Sequence, residues 1–170
     1  LDSGAHYLEG TTDVTRVIKL NKLRFKDIKT YYTYILKSLI LVESTIFPKG
    51  IIGSDLDLFI RSYLSKYNIS YAHGTGHGVG YFNDVHEKYP VLSPNSNNII
   101  LNNNLFSIEP GLYIKNKFGL RLENLYFSKI FNQKIKLINV TLVPYDLSLI
   151  DWKLITDKER NFIKNYHKKI

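Results

Sequence analysis

Four carboxylates and one histidine stand out in this 170-residue chain because each interrupts an apolar or glycine-rich segment. Asp2 and Asp13 lie in two neighbouring predicted strands, His77 lies among glycines, Glu109 ends a strand and Glu123 lies inside another. Charged groups within apolar strands are costly to bury unless they are paired or bound to a metal. Carboxylate and imidazole ligands suit hard or borderline divalent ions such as Mn²⁺, Co²⁺ or Zn²⁺. The chain has no cysteine, which excludes thiolate ligands.

Each of these residues has another interpretation when it is taken alone. An aspartate in a strand is usually solvated on the outer face, and Glu123 could pair with Arg121 or with a distant lysine. The glycines around His77 could cradle a phosphate, but no Lys-Ser/Thr pair follows them, which argues against a P-loop. Only the joint pattern supports a metal-dependent hydrolytic site.

The first half of the chain predicts a hairpin followed by two helices. The stretch up to about residue 20 is predicted as two strands joined by a turn, the second being 12–18. A helix is predicted over 24–47 from apolar residues at steps of three and four. Ser54 and Asp57 predict a capping box that begins a second helix ending near residue 67. The predicted stripe of the first helix is Ile28, Tyr32, Ile35, Leu39 and Val42.

The second half predicts a sheet and a final helix. A glycine-rich segment over 73–80 precedes a polar loop over 90–104. Thr156 and Glu159 predict the capped start of a last helix that extends to the end of the chain. The fold class is therefore predicted as α+β, with helices packed on one side of an antiparallel sheet. Alternating apolar residues predict strands at 105–109, 112–114, 120–127 and 135–143.

Composition limits the classes of partner. The net charge is +8, but the lysines are scattered and no nucleic-acid-binding motif accompanies them, so no nucleic-acid partner is predicted. No apolar run approaches the roughly 20 residues that span a bilayer, so no membrane partner is predicted. No secretory signal follows Leu1, and a cytoplasmic location is predicted, with a degradative vacuole left open.

Four ordered motifs resemble the pita-bread metallopeptidases of family M24, and within it the aminopeptidase P group, the eukaryotic cytosolic type above all. The first motif runs from Asp2 to Arg16 and contains the two candidate aspartates. The second is His73-Gly-Thr-Gly-His77-Gly-Val-Gly, with Val-His86-Glu after it. The third and fourth are Glu109-Pro-Gly-Leu-Tyr113 and Gly-Leu-Arg121-Leu-Glu123-Asn. The tail over 142–167 is also similar, so the resemblance covers nearly the whole chain.

The resemblance implies a role for each candidate residue. Asp2 would bind one divalent metal, Asp13 and Glu123 would bridge two, and His77 and Glu109 would bind the other. A hydroxide bridging the metals would be the nucleophile, with Glu109 also acting as the base. His73 and His86 would contact the substrate, whereas Tyr113 and Arg121 would orient the glutamates. The metals would be Mn²⁺, with Co²⁺ or Zn²⁺ as alternatives. His6 is predicted as a surface residue and His167 as a structural one.

The resemblance also implies the substrate and the context of the chain. The substrates would be peptides with proline at the second position, cleaved at the N-terminal Xaa-Pro bond. Residues 1–170 would form the C-terminal part of the catalytic domain, working with an N-terminal remainder of the same protein and as a homodimer. Prolidase, which cleaves dipeptides, is the enzymatic alternative. A pita-bread module that has lost catalysis and binds proteins is the other alternative.

Overall fold

The computed structural model describes residues 1–82 and 84–170, and it confirms an α+β architecture. Strands dominate the second half of the chain, and the long helices come early and at the end. The elements in chain order are β1 (Asp2–Tyr7), β2 (Gly10–Thr15), α1 (Ile28–Ser44), β3 (Ile46–Pro48), α2 (Gly53–Ser65), β4 (Gly76–Gly78), β5 (Glu87–Leu92), β6 (Leu105–Ile108), β7 (Gly111–Ile114), β8 (Phe118–Arg121), β9 (Asn124–Phe131), β10 (Lys134–Asn139) and α3 (Asp157–His167).

The main sheet has the strand order β3-β10-β9-β6-β4-β5, and its described pairings are antiparallel. Two further hairpins, β1–β2 and β7–β8, form separate two-stranded ladders. β4 lies between β5 and β6, so the glycine-rich segment contributes an inner strand rather than only a loop. A Cβ at Gly76 would lie 1.9 Å from the Ser107 carbonyl oxygen, which explains why this strand requires glycine.

Helices α1 and α2 contact each other and also contact β10 and β5, respectively, so they cover the same face of the main sheet. The predicted apolar stripe of α1 is confirmed, since Tyr32, Ile35 and Leu39 are buried. Leu56 and Ile60 of α2 are buried against the same core. This packing fixes α2 beside the segment that carries the histidines. No helix in the described part of the chain has the length and apolar character needed to cross a membrane.

Several helix boundaries differ from the sequence prediction, since α1 begins at Ile28 rather than near residue 24 and α3 ends at His167 rather than at the end of the chain. Helix α1 ends at Ser44, because the next residues, Ile46–Pro48, pair with β10 as β3. Helix α2 begins at Gly53, and the Asp55 carboxylate accepts a hydrogen bond from the Ile52 N–H at 3.2 Å. The predicted Ser54–Asp57 capping box is therefore wrong. The Asp57 carboxylate is buried and bonds to other side chains instead.

Some strand and loop boundaries also differ from the sequence prediction, because strand pairing begins or ends at other residues. The predicted strand 120–127 is two strands, β8 and β9, separated at Leu122 and Glu123. The predicted loop 90–104 begins inside β5, and β10 ends at Asn139 rather than at 143. The capping box of α3 is confirmed, since the Glu159 N–H donates to the Thr156 hydroxyl at 3.3 Å and the Thr156 N–H donates to the Glu159 carboxylate at 2.8 Å.

Candidate metal centre

The β1–β2 hairpin places two aspartates on one face. Asp2 pairs with Thr15, and Gly4 pairs with Asp13. Residues that pair directly, and residues two apart along one strand, point to the same face of an antiparallel ladder. Asp2, Asp13 and Thr15 therefore share a face. Asp13 is 7% exposed, whereas half of the Asp2 side chain reaches solvent.

Two glutamates join this hairpin at the adjacent ends of β6 and β9. Ile108 pairs with Asn124, so Glu109 and Glu123 lie just beyond the last rung of that ladder. The Glu123 N–H donates to the Thr15 carbonyl at 3.1 Å, and this bond fixes the glutamate beside the β1–β2 face. Glu123 is 1% exposed, so its carboxylate needs compensation from nearby groups.

His77 enters the same space from β4. Its Nε2 atom lies 3.4 Å from an Asp13 carboxylate oxygen and 3.3 Å from a Glu109 carboxylate oxygen. Its Nδ1 atom lies 2.9 Å from the Gly78 carbonyl, and a carbonyl can only accept, so Nδ1 carries the hydrogen. Nε2 is buried and makes no hydrogen bond within the part of the chain that the structure describes. A neutral imidazole would aim its lone pair at two carboxylates, so a cation, either a proton or a metal ion, belongs at this atom.

The ligand atoms form overlapping groups in which all members lie within 4.8 Å of one another. One group is Asp2, Asp13 and Glu123, and another is His77, Glu109 and Glu123. Glu123 belongs to both, and Asp13 reaches His77 as well. This arrangement fits two cations that share ligands. The oxygen-rich donor set with one imidazole suits divalent ions of the kind that the sequence predicts.

The electrostatics of the metal-free site also fit a cation. Burial, followed by the nearby charges of Glu109 and Asp13, raises the pKa of Glu123 from 4.5 to about 8. Burial lowers the pKa of His77, but the Asp13 and Glu109 carboxylates outweigh it and raise that pKa from 6.5 to about 10. Both groups therefore hold protons at neutral pH without metal. Divalent ions would replace those protons as the positive charge that the carboxylates require.

Arg121, Tyr113 and His73 form a chain of contacts at the edge of this cluster. The Arg121 guanidinium pairs with Asp2 and lies 3.7 Å from a Glu109 oxygen. It also donates to the Tyr113 hydroxyl at 3.3 Å, and that hydroxyl lies 2.9 Å from His73 Nε2. His73 Nδ1 also donates to the Gly74 carbonyl at 2.7 Å, so both ring nitrogens have partners and the orientation of the imidazole is set.

The sequence analysis missed two hydroxyls that support the carboxylates. Thr15 donates to Glu123 at 2.8 Å and accepts from Arg121 Nε at 3.1 Å. Ser107 donates to Glu109 at 3.3 Å and accepts from the His77 N–H at 3.1 Å. Each hydroxyl lies two residues from a predicted ligand along a strand, and this spacing is the signal that could have revealed them.

The predicted site residues line a single cavity of about 890 Å³. His86 is at the cavity wall, where its ring stands edge-on to His77 with 4.1 Å between ring centroids. His6 is exposed and outside this cavity, and His167 accepts a hydrogen bond from the Tyr145 N–H at 3.3 Å. The lining includes Asp2, Asp13, His73, His77, His86, Glu109, Tyr113, Arg121 and Glu123.

Known proteins are similar to this chain in sequence and in fold. A probable Xaa-Pro aminopeptidase P of Podospora anserina is 41% identical over 99% of this chain, and one of Ajellomyces capsulatus is 39% identical over the same share. The chain spans only 26% and 29% of the length of these two relatives.

Solved structures give the same result for the fold. An X-prolyl aminopeptidase from Caenorhabditis elegans, described as a cytosolic enzyme with a di-nuclear active site, superposes with a TM-score of 0.89 at 36% identity. The match covers 99% of this chain and 28% of that one. A prolidase from Thermococcus sibiricus superposes with a TM-score of 0.68 at 32% identity, over 88% of this chain and 38% of that one. The predicted pita-bread fold is thereby confirmed.

Family models assign the chain along almost its full length. The model of metallopeptidase family M24 matches residues 1–128, and the model of the C-terminal region of peptidase M24 matches residues 134–170. The first match contains every predicted site residue. The chain therefore belongs to metallopeptidase family M24.

Proposed function

We propose that the full-length protein containing this chain is a metal-dependent aminopeptidase that hydrolyses the N-terminal Xaa-Pro peptide bond. The observation that carries the proposal is the buried His77 Nε2 atom, which faces the carboxylates of Asp13 and Glu109 with no hydrogen bond among the described residues. Such an atom, within a cluster of four carboxylates, is suited to bind a divalent cation. The similarity to Xaa-Pro aminopeptidases supports the choice of substrate.

In this proposal the ligands divide between two cations. Asp2 would bind one cation, His77 and Glu109 would bind the other, and Asp13 and Glu123 would serve both, because the groups of possible ligands overlap at these two residues. Bound divalent cations would supply two effects: they would lower the pKa of water so that hydroxide is available as the nucleophile, and their charge would stabilise the oxyanion that develops on the scissile carbonyl. Glu109 accepts the proton of the attacking water, and the Ser107 hydroxyl holds its carboxylate in place.

The remaining residues bind the peptide and orient the ligands. His73 and His86 line the cavity beside the metal ligands, where they contact the substrate carbonyl and the residues around proline. Arg121 fixes Asp2 and Glu109, and Tyr113 connects Arg121 to His73. These contacts keep the carboxylates and the substrate-binding histidine in one arrangement.

The metal and the cellular context are part of the proposal. Mn²⁺ is the metal that we propose, with Co²⁺ or Zn²⁺ as alternatives, because four carboxylates and one imidazole suit a hard to borderline ion. The chain supplies the C-terminal part of the catalytic domain and acts with an N-terminal part of the same protein. A cytoplasmic location is proposed from the similarity to a cytosolic enzyme.

A homodimer through the catalytic domain is also proposed. The tail after β10 exposes apolar side chains that a partner would cover: Val140 is 47% exposed, Leu142 is 55% exposed and Leu147 is 43% exposed. Sedimentation of the full-length protein tests this proposal. A dimer that Leu142→Glu dissociates would support it, and a monomer would contradict it.

Prolidase is the second candidate, because a prolidase structure also superposes on this chain. Cleavage of dipeptides but not of longer peptides would favour it. A protein-binding module without catalysis is the candidate from another class. It is disfavoured by the presence of all the predicted ligand types in one cluster.

The test uses the full-length protein with Mn²⁺ and a peptide that begins Xaa-Pro-Pro, beside the same peptide with alanine in place of the first proline. Each assay is repeated with Glu109→Ala and with a chelator. Cleavage of the proline peptide alone, lost in both repeats, would support mechanism and specificity together. Cleavage of neither peptide, in a protein that retains no metal, would contradict the enzyme assignment and leave the binding module.

A further inference from the structure

The segment that carries the histidines has little means of holding itself in place. His73, Gly74, Thr75 and Gly76 follow one another, so two of these residues lack side chains that could pack. Glycine also has the largest backbone entropy to lose on folding. His73 is nevertheless within hydrogen-bond reach of Tyr113 at the cavity. The sheet holds the segment from Thr75 onward, because the Thr75 N–H donates to a carbonyl of β5 at 2.7 Å and β4 is an inner strand. The residues before Thr75 must therefore be restrained by another part of the fold.

Two side chains of helix α2 provide this restraint. Arg61 donates from one terminal nitrogen to the Tyr71 carbonyl at 2.7 Å and from the other to the His73 carbonyl at 2.7 Å. Its Nε donates to both oxygens of Asp57 at 2.8 Å, and its guanidinium carbon lies 4.1 Å from the Tyr71 ring centroid. Every nitrogen of the guanidinium therefore has a partner, and two partners are backbone groups of the histidine segment.

Asp57 completes the arrangement by holding Thr75. The carboxylate is 1% exposed and accepts a hydrogen bond from the Thr75 hydroxyl at 2.5 Å. Burial raises the pKa of Tyr71 to about 12, so its hydroxyl is neutral and donates to the same Thr75 oxygen at 2.6 Å. The backbone of Thr75 in turn accepts from the Glu109 N–H at 2.8 Å. The contacts thus run from α2 to both a histidine and a glutamate of the cavity.

We propose that Asp57 and Arg61 form a positioning pair, here called the α2 clamp, that sets the placement of the His73 imidazole in the cavity. The guanidinium is suited to this task because its planar fork fixes two carbonyls and a carboxylate at once, which a lysine ammonium cannot do. A catalytic group displaced by about 1 Å can lose about a hundredfold in rate, so a restraint outside the cavity matters for turnover. The part of this inference that concerns turnover rests on the proposed peptidase function.

The first test measures His73 directly and needs no activity. Full-length wild type, Arg61→Met, Arg61→Lys and Lys37→Met are treated with diethyl pyrocarbonate, and modification of His73 is quantified by mass spectrometry relative to the exposed His6. Lys37 is a matched control, because it makes the same kinds of contact away from the cavity. Its ammonium lies 3.1 Å from the Glu159 carboxylate and donates to the Leu154 carbonyl at 2.5 Å. We expect about threefold or greater modification of His73 in Arg61→Met and an unchanged ratio in Lys37→Met, because local opening exposes only the segment that lost its restraint.

The second test separates positioning from stability. Kinetics on the Xaa-Pro-Pro peptide are measured for Arg61→Met and His73→Ala singly and together. If the clamp acts through His73, Arg61→Met lowers kcat by about tenfold or more alone but by less than about twofold in the His73→Ala background. Fully additive losses would overturn the proposal.

A milder variant guards against loss of the fold. Thr75→Val removes the hydroxyl that joins Asp57 to the segment and keeps the side-chain volume. It should raise His73 modification above wild type but below the level of Arg61→Met. Unchanged His73 modification in both variants would overturn the clamp. A wild-type protein that cleaves no Xaa-Pro peptide would instead contradict the proposed function, and the modification data would still decide whether the clamp exists.

Discussion

Replacing Glu123 with glutamine should stabilise the metal-free protein, although it removes a proposed metal ligand. The Glu123 side chain is buried beside Glu109 and Asp13, which together with burial raises its pKa from 4.5 to about 8. At about 1.36 kcal/mol per pKa unit, this rise in the Glu123 pKa corresponds to roughly 5 kcal/mol of destabilisation of the folded state above pH 8. Glutamine has nearly the same shape and carries no charge, so Glu123→Gln removes this cost.

The sign of the pH dependence follows from where the proton binds more tightly. The folded protein holds the Glu123 proton more strongly than the unfolded chain does, because its pKa is raised on folding. The contribution of Glu123 to the stability of wild type is therefore fully present below the unfolded pKa. It falls as the pH rises from the unfolded to the folded pKa and is constant above that. The advantage of Glu123→Gln should grow between pH 4.5 and 8 by roughly 3–5 kcal/mol.

Hydrogen exchange with mass spectrometry can measure this advantage in the full-length protein after metal removal. Peptides that cover β6 and β9 report the local unfolding free energy at each pH, once intrinsic exchange rates are divided out. Glu9→Gln is a matched control, because it makes the same substitution at an exposed glutamate outside the cavity. An advantage of Glu123→Gln that stays constant from pH 5 to 9 would refute the electrostatic account. With saturating Mn²⁺ the order should reverse, because only wild type keeps the carboxylate that we propose as a ligand to both ions.

Three further predictions concern the same site. Thr15→Val removes the hydrogen bonds to Glu123 and Arg121 and should lower kcat about tenfold in steady-state kinetics, with the fold retained by circular dichroism. An unchanged kcat would contradict the role of this hydroxyl. Gly76→Ala should destabilise the protein by about 3 kcal/mol or more in thermal unfolding, because its Cβ would lie 1.9 Å from the Ser107 carbonyl oxygen, and a wild-type melting temperature would contradict this. Metal affinity should rise with pH between 6 and 9, because binding displaces protons from Glu123 and His77, whose pKa values are about 8 and about 10. Calorimetry in buffers of different ionisation enthalpy should record proton release near pH 7, and no release would contradict the charge balance.

The sequence predicted the residues of the cavity better than it predicted the edges of the elements. Ligand types are visible from the sequence because a buried carboxylate such as Glu123 violates the apolar pattern around it. The end of α1 was misplaced because residues 46–48 continue its apolar spacing but gain more from pairing with β10. Short segments of this kind are decided by tertiary contacts rather than by local pattern.

The sequence can indicate a hydroxyl close to a predicted ligand, but it cannot identify the group that a side chain bonds when that group is far away in the chain. Asp57 was assigned to a helix cap from its spacing to Ser54, yet its carboxylate bonds to Arg61 and to Thr75, 18 positions away. Thr15 likewise reaches Glu123 across 108 positions. Only the folded sheet brings such residues together, and single-sequence patterns contain no register between distant strands.

The metal content of the full-length protein decides whether the cavity holds two divalent ions. After dialysis against buffer containing Mn²⁺ and then against metal-free buffer, inductively coupled plasma mass spectrometry counts the metal ions that each chain retains. We expect about two ions per chain in wild type and a clear loss in a variant that carries Asp13→Asn and Glu123→Gln together. Folded wild-type protein that retains close to no metal ion per chain, with every divalent ion tested, would contradict a two-metal site.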